Sequence, residues 1–393
     1  MSVHPLVRIR PREGRRARAG APWIFSNEIE MDAKTKALTP GTIVDARGSD
    51  DHDFGTGYFN PRSLISVRLL DARMGVAIDA GFLVERLRRA LKLREPMYSA
   101  PFYRLVHAEG DGLPGLVIDR FGDVCSLQVT TAGMENLTPA LLEALDEVIA
   151  PKIVILRNDT PSRALEGLDN YVRVTKGELP ARIAVEENGA RYVADLAEGQ
   201  KAGWYYDQRD NRAFIAKLAK GKTVLDAYSY SGGFGVIAAK TGAKSVTAVD
   251  SSAPALALAE EAAKANGVTI KTVKSDVFEE LERIAARGET FDIVIADPPP
   301  FVKSKKDLEA GARAYRKLAR MAAAVTAPGG FLFLASCSHN IPPERFALEC
   351  SAGVVRTGLS AALIHQSGAG ADHPVHPMLP ETAYLKALVY ALD

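Results

Sequence analysis

Cysteine, tryptophan and net charge are all scarce in this chain. Its 393 residues include three cysteines and two tryptophans, and its acids and bases nearly cancel, at +1. Cys125, Cys337 and Cys350 are too few and too irregularly spaced for a disulfide framework or a zinc site, so no metal is expected. A reduced, cytoplasmic compartment suits that usage. No apolar run approaches the roughly 18 unbroken residues of a membrane span. The start, MSVHPLVRIRPREGRR, lacks the apolar core of a signal peptide. A balanced charge excludes a polycation, so any acidic partner must meet a local patch. What is present is a globular composition, 47% apolar and 25% charged, on a chain long enough for two or three domains.

A basic patch lies near the start. Arg8, Arg10, Arg12, Arg15, Arg16 and Arg18 fall close together, opposed by Glu13, with Trp23 and Phe25 just behind. A solvated strand beside a core tryptophan would read this way, and so would a surface that attracts phosphates and holds an aromatic nearby. Around the patch, residues 1–73 form a small β-rich unit, with GTIVDARG, TGYFN and SLISVRLLD as short strands. Residues 74–185 read as an α+β linking segment. It holds a helix at FLVERLRRALKLRE, a turn-rich hairpin over YRLVHAEGDGLPGLVIDRFGDV, a helix at LTPALLEALDEVI and a strand at KIVILRN.

From residue 186 strands and helices alternate. TVLDAY, SVTAVD, IKTVKSD, FDIVIAD and FLFLASCS are strands, and helices fill the intervals between them. That pattern means an α/β fold with a doubly wound, Rossmann-like parallel sheet. AALIHQS and YLKALVYAL are expected to finish it as an antiparallel hairpin. Ligands of such sheets bind beyond the C-terminal strand ends. Those ends read DAYSYSGGFG, VDSS, SDVF and ADPPPF, and each carries an aspartate: Asp226, Asp250, Asp276 and Asp297.

Polarity at a strand end explains one or two of these carboxylates, not all four. Gly232, Gly233 and Gly235 let backbone pass close to a ligand. Asp250 can accept both hydroxyls of a ribose, Asp276 sits where an adenine edge would lie, and Asp226 can face a cationic amino-acid group. S-adenosyl-L-methionine has those three parts. Tyr228, Ser229, Phe234, Ser251, Val277, Asp297 and Pro298 complete the candidate set for it. The rival is a dinucleotide dehydrogenase, because GGFGVIA holds a G-x-G-x-x-A. Its tight phosphate turn does not suit the long approach from Asp226, and it gives DPPPF no role.

DAYSYSGGFG, ADPPPF and SCS, with GQKAGWYYDQRDNR upstream, resemble the class I methyltransferases that modify cytosine C5 in 23S ribosomal RNA. RARAGAPWIFSNEI is similar to the PUA domain those enzymes carry, and HAEGDGLPGLVIDRFGD and DHPVHPMLPETAYLKAL also match their pattern. The resemblance covers nearly the whole chain. It implies a PUA domain, a linking domain and a catalytic domain, with Gln208 and Arg209 helping to close the cofactor pocket. The partner it implies is ribosomal RNA or a ribosomal subunit precursor, with no membrane; a homodimer is compatible with the sequence.

Cytosine C5 is a poor nucleophile until a thiolate adds to C6. Free cysteine is usually packing, and Cys125 and Cys350 lie inside a strand and a helix as packing would have it. Cys337 instead follows its apolar run, among Ser336, Ser338, His339 and Asn340, and is the expected nucleophile. Asp297 is a turn cap on the plain reading. On the functional one it meets the N3 and N4 edge of the base, with Phe301 against the ring. Lys303 and Lys305, together with Arg8, Arg10, Arg15, Arg16 and Trp23, are the RNA-contact candidates. Two alternatives stay open: methylation of an exocyclic amine such as guanine N2, which needs no thiol, and a non-catalytic RNA-binding factor.

Overall fold

The computed structural model describes residues 4–197, 199 and 203–393. The first three residues, and Gln200, Lys201 and Ala202 of GQKAGWYYDQRDNR, lie outside the described residues. The chain divides into two compact units. One comprises residues 1–181, 196–204 and 371–380, the other residues 182–195, 205–370 and 381–393.

The first unit opens with strands β1 (Leu6–Ile9), β2 (Trp23–Phe25), β3 (Thr42–Gly48), β4 (Asp53–Phe59) and β5 (Ile65–Asp71). They form one sheet in the order β1-β3-β4-β5-β2, closed over Val7, Ile9, Ile24, Val44, Phe59 and Val67. Helix α1 (Ala80–Arg94), capped by the Asp79 carboxylate, and helix α2 (Thr138–Ile149) cover a second sheet. Its strands are β6 (Phe102–His107), β7 (Leu116–Phe121), β8 (Val124–Val129), β9 (Ile153–Asn158) and β10 (Tyr171–Lys176), in the order β10-β9-β8-β7-β6. The HAEGDGLPG stretch links β6 to β7, and the returning 371–380 segment is tied to it. Arg94, fully buried, donates to both Asp111 oxygens and to the Asp372 carbonyl, while Asp372 Oδ2 accepts from the Arg104 N–H.

The second unit opens with a hairpin not expected from the sequence, β11 (Ile183–Glu187) and β12 (Ala190–Ala194). Asn188 and Gly189 turn it, both at positive φ, the pairing that suits a tight hairpin. Helix α3 (Arg209–Leu218) precedes β13 (Thr223–Ala227), α4 (Gly233–Lys240), β14 (Ser245–Asp250), α5 (Ala253–Ala265) and β15 (Lys271–Lys274). Then come α6 (Val277–Ala286), β16 (Phe291–Ala296), α7 (Leu308–Ala324), β17 (Thr326–Ser336), α8 (Pro343–Val355), β18 (Ala361–Ser367) and β19 (Lys386–Leu392).

The sheet order is β15-β14-β13-β16-β17-β19-β18, parallel through β17 and antiparallel beyond it. Its strands are apolar on both faces, as a sheet covered on both sides requires. Leu225, Val294 and Leu332 meet α6, α7 and α8, while Val224, Ile293 and Phe333 meet α3 and α4. The strand order reverses between β13 and β16, so the crevice of this fold lies outside their ends. Among the described residues, no helix is long and apolar enough to cross a membrane.

Candidate active site at the sheet switch point

The loop after β13 is wound tightly. Tyr228, Tyr230 and Gly232 all have positive φ, a conformation that costs a non-glycine residue about 1 kcal/mol or more. Backbone bonds hold it: the Ser229 N–H donates to the Val249 carbonyl at 3.0 Å and the Tyr230 N–H to Asp250 Oδ2 at 2.9 Å. Asp250 Oδ1 accepts from the Ser252 N–H at 2.8 Å, so this carboxylate braces two loops at once. Ser229 Oγ and Ser231 Oγ are buried in the same loop without a hydrogen-bond partner in the protein. Buried hydroxyls are normally satisfied, so these two mark a place where something polar belongs.

Asp226 is buried beneath that loop and accepts from the Gly235 N–H at 2.7 Å. Burial pushes its pKa up to about 7, and the neighbouring charge of Asp297 adds to the rise. The glycines also have a packing role. A Cβ on Gly232 would lie 2.8 Å from the Ala259 methyl, one on Gly233 2.5 Å from Arg212 Nε, and one on Gly235 3.0 Å from Asp226 Oδ2. Their missing side chains make room for the protein itself. Phe234, buried between them, packs on Phe333, and Arg212 lies over its ring.

Asp276 is exposed and caps α6, its Oδ1 accepting from the Phe278 and Glu279 N–H groups. Val277 follows in the core, and Ser251 is exposed at the end of β14. Gln208 is buried. Its amide donates to Asp297 Oδ2 at 2.8 Å and its carbonyl accepts from Asn211 at 2.6 Å. Arg209 is also buried, 3.9 Å from Glu187 and over the Tyr206 ring, while Arg212 donates to Glu187 at 2.7 Å. The YYDQRDNR block therefore anchors α3 to the β11–β12 hairpin and, through Gln208, holds the carboxylate at the end of β16.

Two loops meet past β16 and β17. Pro298 is buried, and Phe301 packs on Tyr315 and Phe278. The Ser336 hydroxyl donates to Tyr315 Oη at 2.7 Å, and Ser338 Oγ lies 2.8 Å from the same oxygen. Ser338 Oγ also accepts from the Val302 N–H, and the Asn340 amide donates to the Lys303 carbonyl at 3.0 Å. The serines flanking Cys337 thus turn inward and stitch its loop to the DPPPF loop. Cys337 itself is partly exposed, whereas Cys125 and Cys350 are buried, with thiols pushed up by burial, Cys125 to about 12.

Sequence reasoning gave no role to Tyr205 or Lys386. Burial pushes the Tyr205 hydroxyl pKa upward, with Tyr230, Asp207, Cys337 and Asp297 adding to the rise, and its ring stands edge-on to Tyr230 at 5.4 Å. Only its place in the YYDQRDNR block could have flagged it.

The basic candidates are divided between the two units. Arg8, Arg10, Arg15 and Arg16 are exposed on the first unit, where Arg10 donates to the Ile29 carbonyl and Arg16 to the Met378 carbonyl. Trp23 is half-buried and its indole N–H donates to Glu109. Lys303 and Lys305 are exposed, Lys305 in a turn closed by Ser304 and Asp307.

A reversed crevice with a carboxylate at each strand end is the architecture of a nucleotide-handling α/β enzyme. Comparison with known proteins narrows this. Residues 134–391 match the S-adenosylmethionine-dependent methyltransferase family, and residues 7–72 match a PUA-like domain. A protein of Shewanella denitrificans named ribosomal RNA large subunit methyltransferase I is 36% identical over 390 residues, 98% of each chain. One of the same name from Pseudoalteromonas atlantica is 34% identical, over 94% of each. Among solved structures, a SAM-dependent methyltransferase of Streptococcus mutans shares the fold at TM-score 0.83 and 21% identity, over 98% of this chain and all of its own. A methyltransferase chain complexed with SAH does so at TM-score 0.85 and 21% identity, with the same coverage. The chain belongs to the S-adenosylmethionine-dependent methyltransferase family, with a PUA-like domain at its start.

Proposed function

We propose that this enzyme methylates C5 of a cytosine in ribosomal RNA of the large subunit, through a covalent bond between Cys337 and C6 of the base. The observation that carries the reading is the loop after β17. It leaves Cys337 partly exposed while both neighbouring serines turn inward, and it is stitched to the loop that carries Asp297. The names of the relatives support ribosomal RNA as the substrate. The three-part organisation read from the sequence, residues 1–73, 74–185 and 186–393, belongs to this proposal.

The residues present suit S-adenosylmethionine. Asp226 meets its ammonium group, Asp250 and Ser251 its ribose, and Asp276 and Val277 its adenine. Tyr228, Ser229, Gly232, Gly233 and Phe234 form the wall between, and the two unsatisfied serine hydroxyls are donors waiting for it. Pro298 lines the far side, and Gln208 and Arg209 act by bracing Asp297 and α3.

Catalysis then follows from elementary chemistry. The target base leaves its stack to enter the crevice, at a cost of a few kcal/mol. The Cys337 thiolate gives its electron pair to C6, and the C5–C6 π pair moves to C5. Asp297 hydrogen-bonds the N3 and N4 edge and favours the ring protonated at N3, which accepts the thiolate's electron pair. Bound S-adenosylmethionine would supply an electrophilic methyl group to C5, with its sulfur keeping the electron pair of the broken bond. Water or Asp297 removes the C5 proton, the double bond re-forms, and the thiolate leaves with its pair. Arg8, Arg10, Arg15, Arg16 and Trp23, with Lys303 and Lys305, hold the RNA backbone. These contacts make binding fall with salt.

A trapping assay tests the reading. RNA containing 5-fluorocytidine and tritiated S-adenosylmethionine is incubated with wild type and Cys337→Ala, then resolved on a denaturing gel. Fluorine cannot leave as the proton does, so wild type should give a labelled protein–RNA band that the variant lacks. Label transfer to ordinary RNA without that band would make amine methylation the function and Cys337 packing.

A further inference from the structure

Lys386 is the first residue of β19 and pairs directly with Ser336, the last residue of β17. Its side chain is buried, 7% exposed, and Nζ donates to the Ser338 carbonyl at 2.6 Å and the Ile341 carbonyl at 3.1 Å. These two carbonyls bracket the turn that follows Cys337. An ammonium has three N–H donors, and the carbonyls use two. A buried charge is expensive, and a loop staple alone needs no cation, because a neutral amide could donate to both carbonyls. Burial lowers the lysine pKa to about 8, and the charge of Cys337 acts against that fall. Cation and thiol lie in each other's field.

We propose that Lys386 is the positioning residue for Cys337: its ammonium fixes the turn behind the cysteine, and its charge favours the ionised nucleophile. This rests on the reading of Cys337 as the attacking thiol. Tyr205, Tyr315 and Asp297 do not supply that charge. Tyr205 and Tyr315 both sense Cys337 and are pushed upward by burial, so their hydroxyls stay neutral. Asp297, at the end of β16, is an acid that opposes a thiolate. His339 follows Cys337 but packs its ring on Tyr384, 5.1 Å away. A thiolate in such surroundings needs a cation, and reactive cysteines are found beside lysine, arginine or protonated histidine.

The test needs no RNA and no cofactor. The full chain is alkylated with iodoacetamide across about pH 6 to 10, and modification of the Cys337 peptide is followed by mass spectrometry for wild type, Lys386→Met and Lys386→Arg. Cys125 and Cys350, buried with raised thiol pKa values, serve as silent controls. Wild type should ionise below the ordinary thiol value of about 8.5. Lys386→Met should shift the midpoint up by about one unit, roughly a tenfold loss of reactivity at neutral pH, and Lys386→Arg should restore most of it. A Lys386→Met profile that superimposes on wild type overturns the proposal. If that variant does not fold, wild type alone decides, because a midpoint at or above about 8.5 overturns it as well. The trapping assay separates the two layers. A covalent RNA band with no lysine effect sinks only the role of Lys386, whereas full methyl transfer by Cys337→Ala sinks the thiol mechanism and this proposal with it.

Discussion

On one side of β13, Asp250 and Asp276 spend their oxygens on backbone N–H groups, mostly two or three residues along the chain. On the other side, Asp297 takes its hydrogen bond from Gln208, 89 residues away, and the turn behind Cys337 is held by Lys386, 48 residues away. The first half of the sheet shapes backbone, and its side chains are turn and cap residues that can also meet a ligand. The second half ties its loops together through side chains from separate elements. A site for a common cofactor needs only the local devices. A site for a particular reaction needs the distant ones.

The largest effect should come from the assembled half. Cys337→Ala should lower methyl transfer by roughly 10³-fold or more while cofactor affinity, read by calorimetry, holds within about twofold. Loss of affinity by a similar factor would mean that the two halves are not separate. Gly233→Ala attacks the other half through its packing. The new methyl would sit 2.5 Å from the buried Arg212, which is tied to Glu187, so overpacking should cost about 1–3 kcal/mol in a denaturant titration. Cofactor binding should weaken with it. A variant as stable as wild type would show that Arg212 can move aside.

Asp226 makes the cofactor half pH-dependent. Its folded pKa of about 7 lies above the unfolded range, so the native protein holds more protons than the unfolded chain between about pH 4 and 7. Its share of the stability of the free protein therefore falls as pH rises through that window. A cationic ligand takes the ionised form, so S-adenosylmethionine should bind roughly five- to tenfold more tightly at about pH 8 than at pH 6. Asp226→Asn should flatten the dependence. A flat wild-type profile would mean that the carboxylate serves only the Gly235 N–H.

Much of this architecture could be read from the order of residues, because alternating apolar strands and helices leave one kind of sheet open. The strand-end aspartates pointed to the ends where the crevice of such a sheet lies, and SCS to a partly exposed cysteine after β17. The β11–β12 hairpin was missed although Asn188-Gly189 marks its turn, because it lies just outside the alternating pattern. Besides the close approach to a ligand that the glycines suggest, their missing side chains make room for Ala259, Arg212 and Asp226. No local pattern could reveal this, since all three come from other elements. Lys386 lies within DHPVHPMLPETAYLKAL, which matches the family's pattern, but taken alone YLKALVYAL reads as an ordinary strand. Its meaning arises only when β19 inserts beside β17.

The smallest effect sharpens the comparison most, because it asks whether a local device also touches the ligand. Asp276 caps α6 from an exposed position. Asp276→Ala should cost about 1 kcal/mol of stability as the cap is lost, whereas Asp276→Asn, which also caps well, should cost almost none. If the carboxylate also accepts from an adenine amine, asparagine should leave affinity for S-adenosylmethionine several-fold weaker at full stability. Equal affinity in the asparagine variant would make Asp276 a cap and nothing more. The adenine would then be held by apolar contact with Val277 and its neighbours, and the first half of the sheet would recognise its cofactor through Asp226 and Asp250 alone.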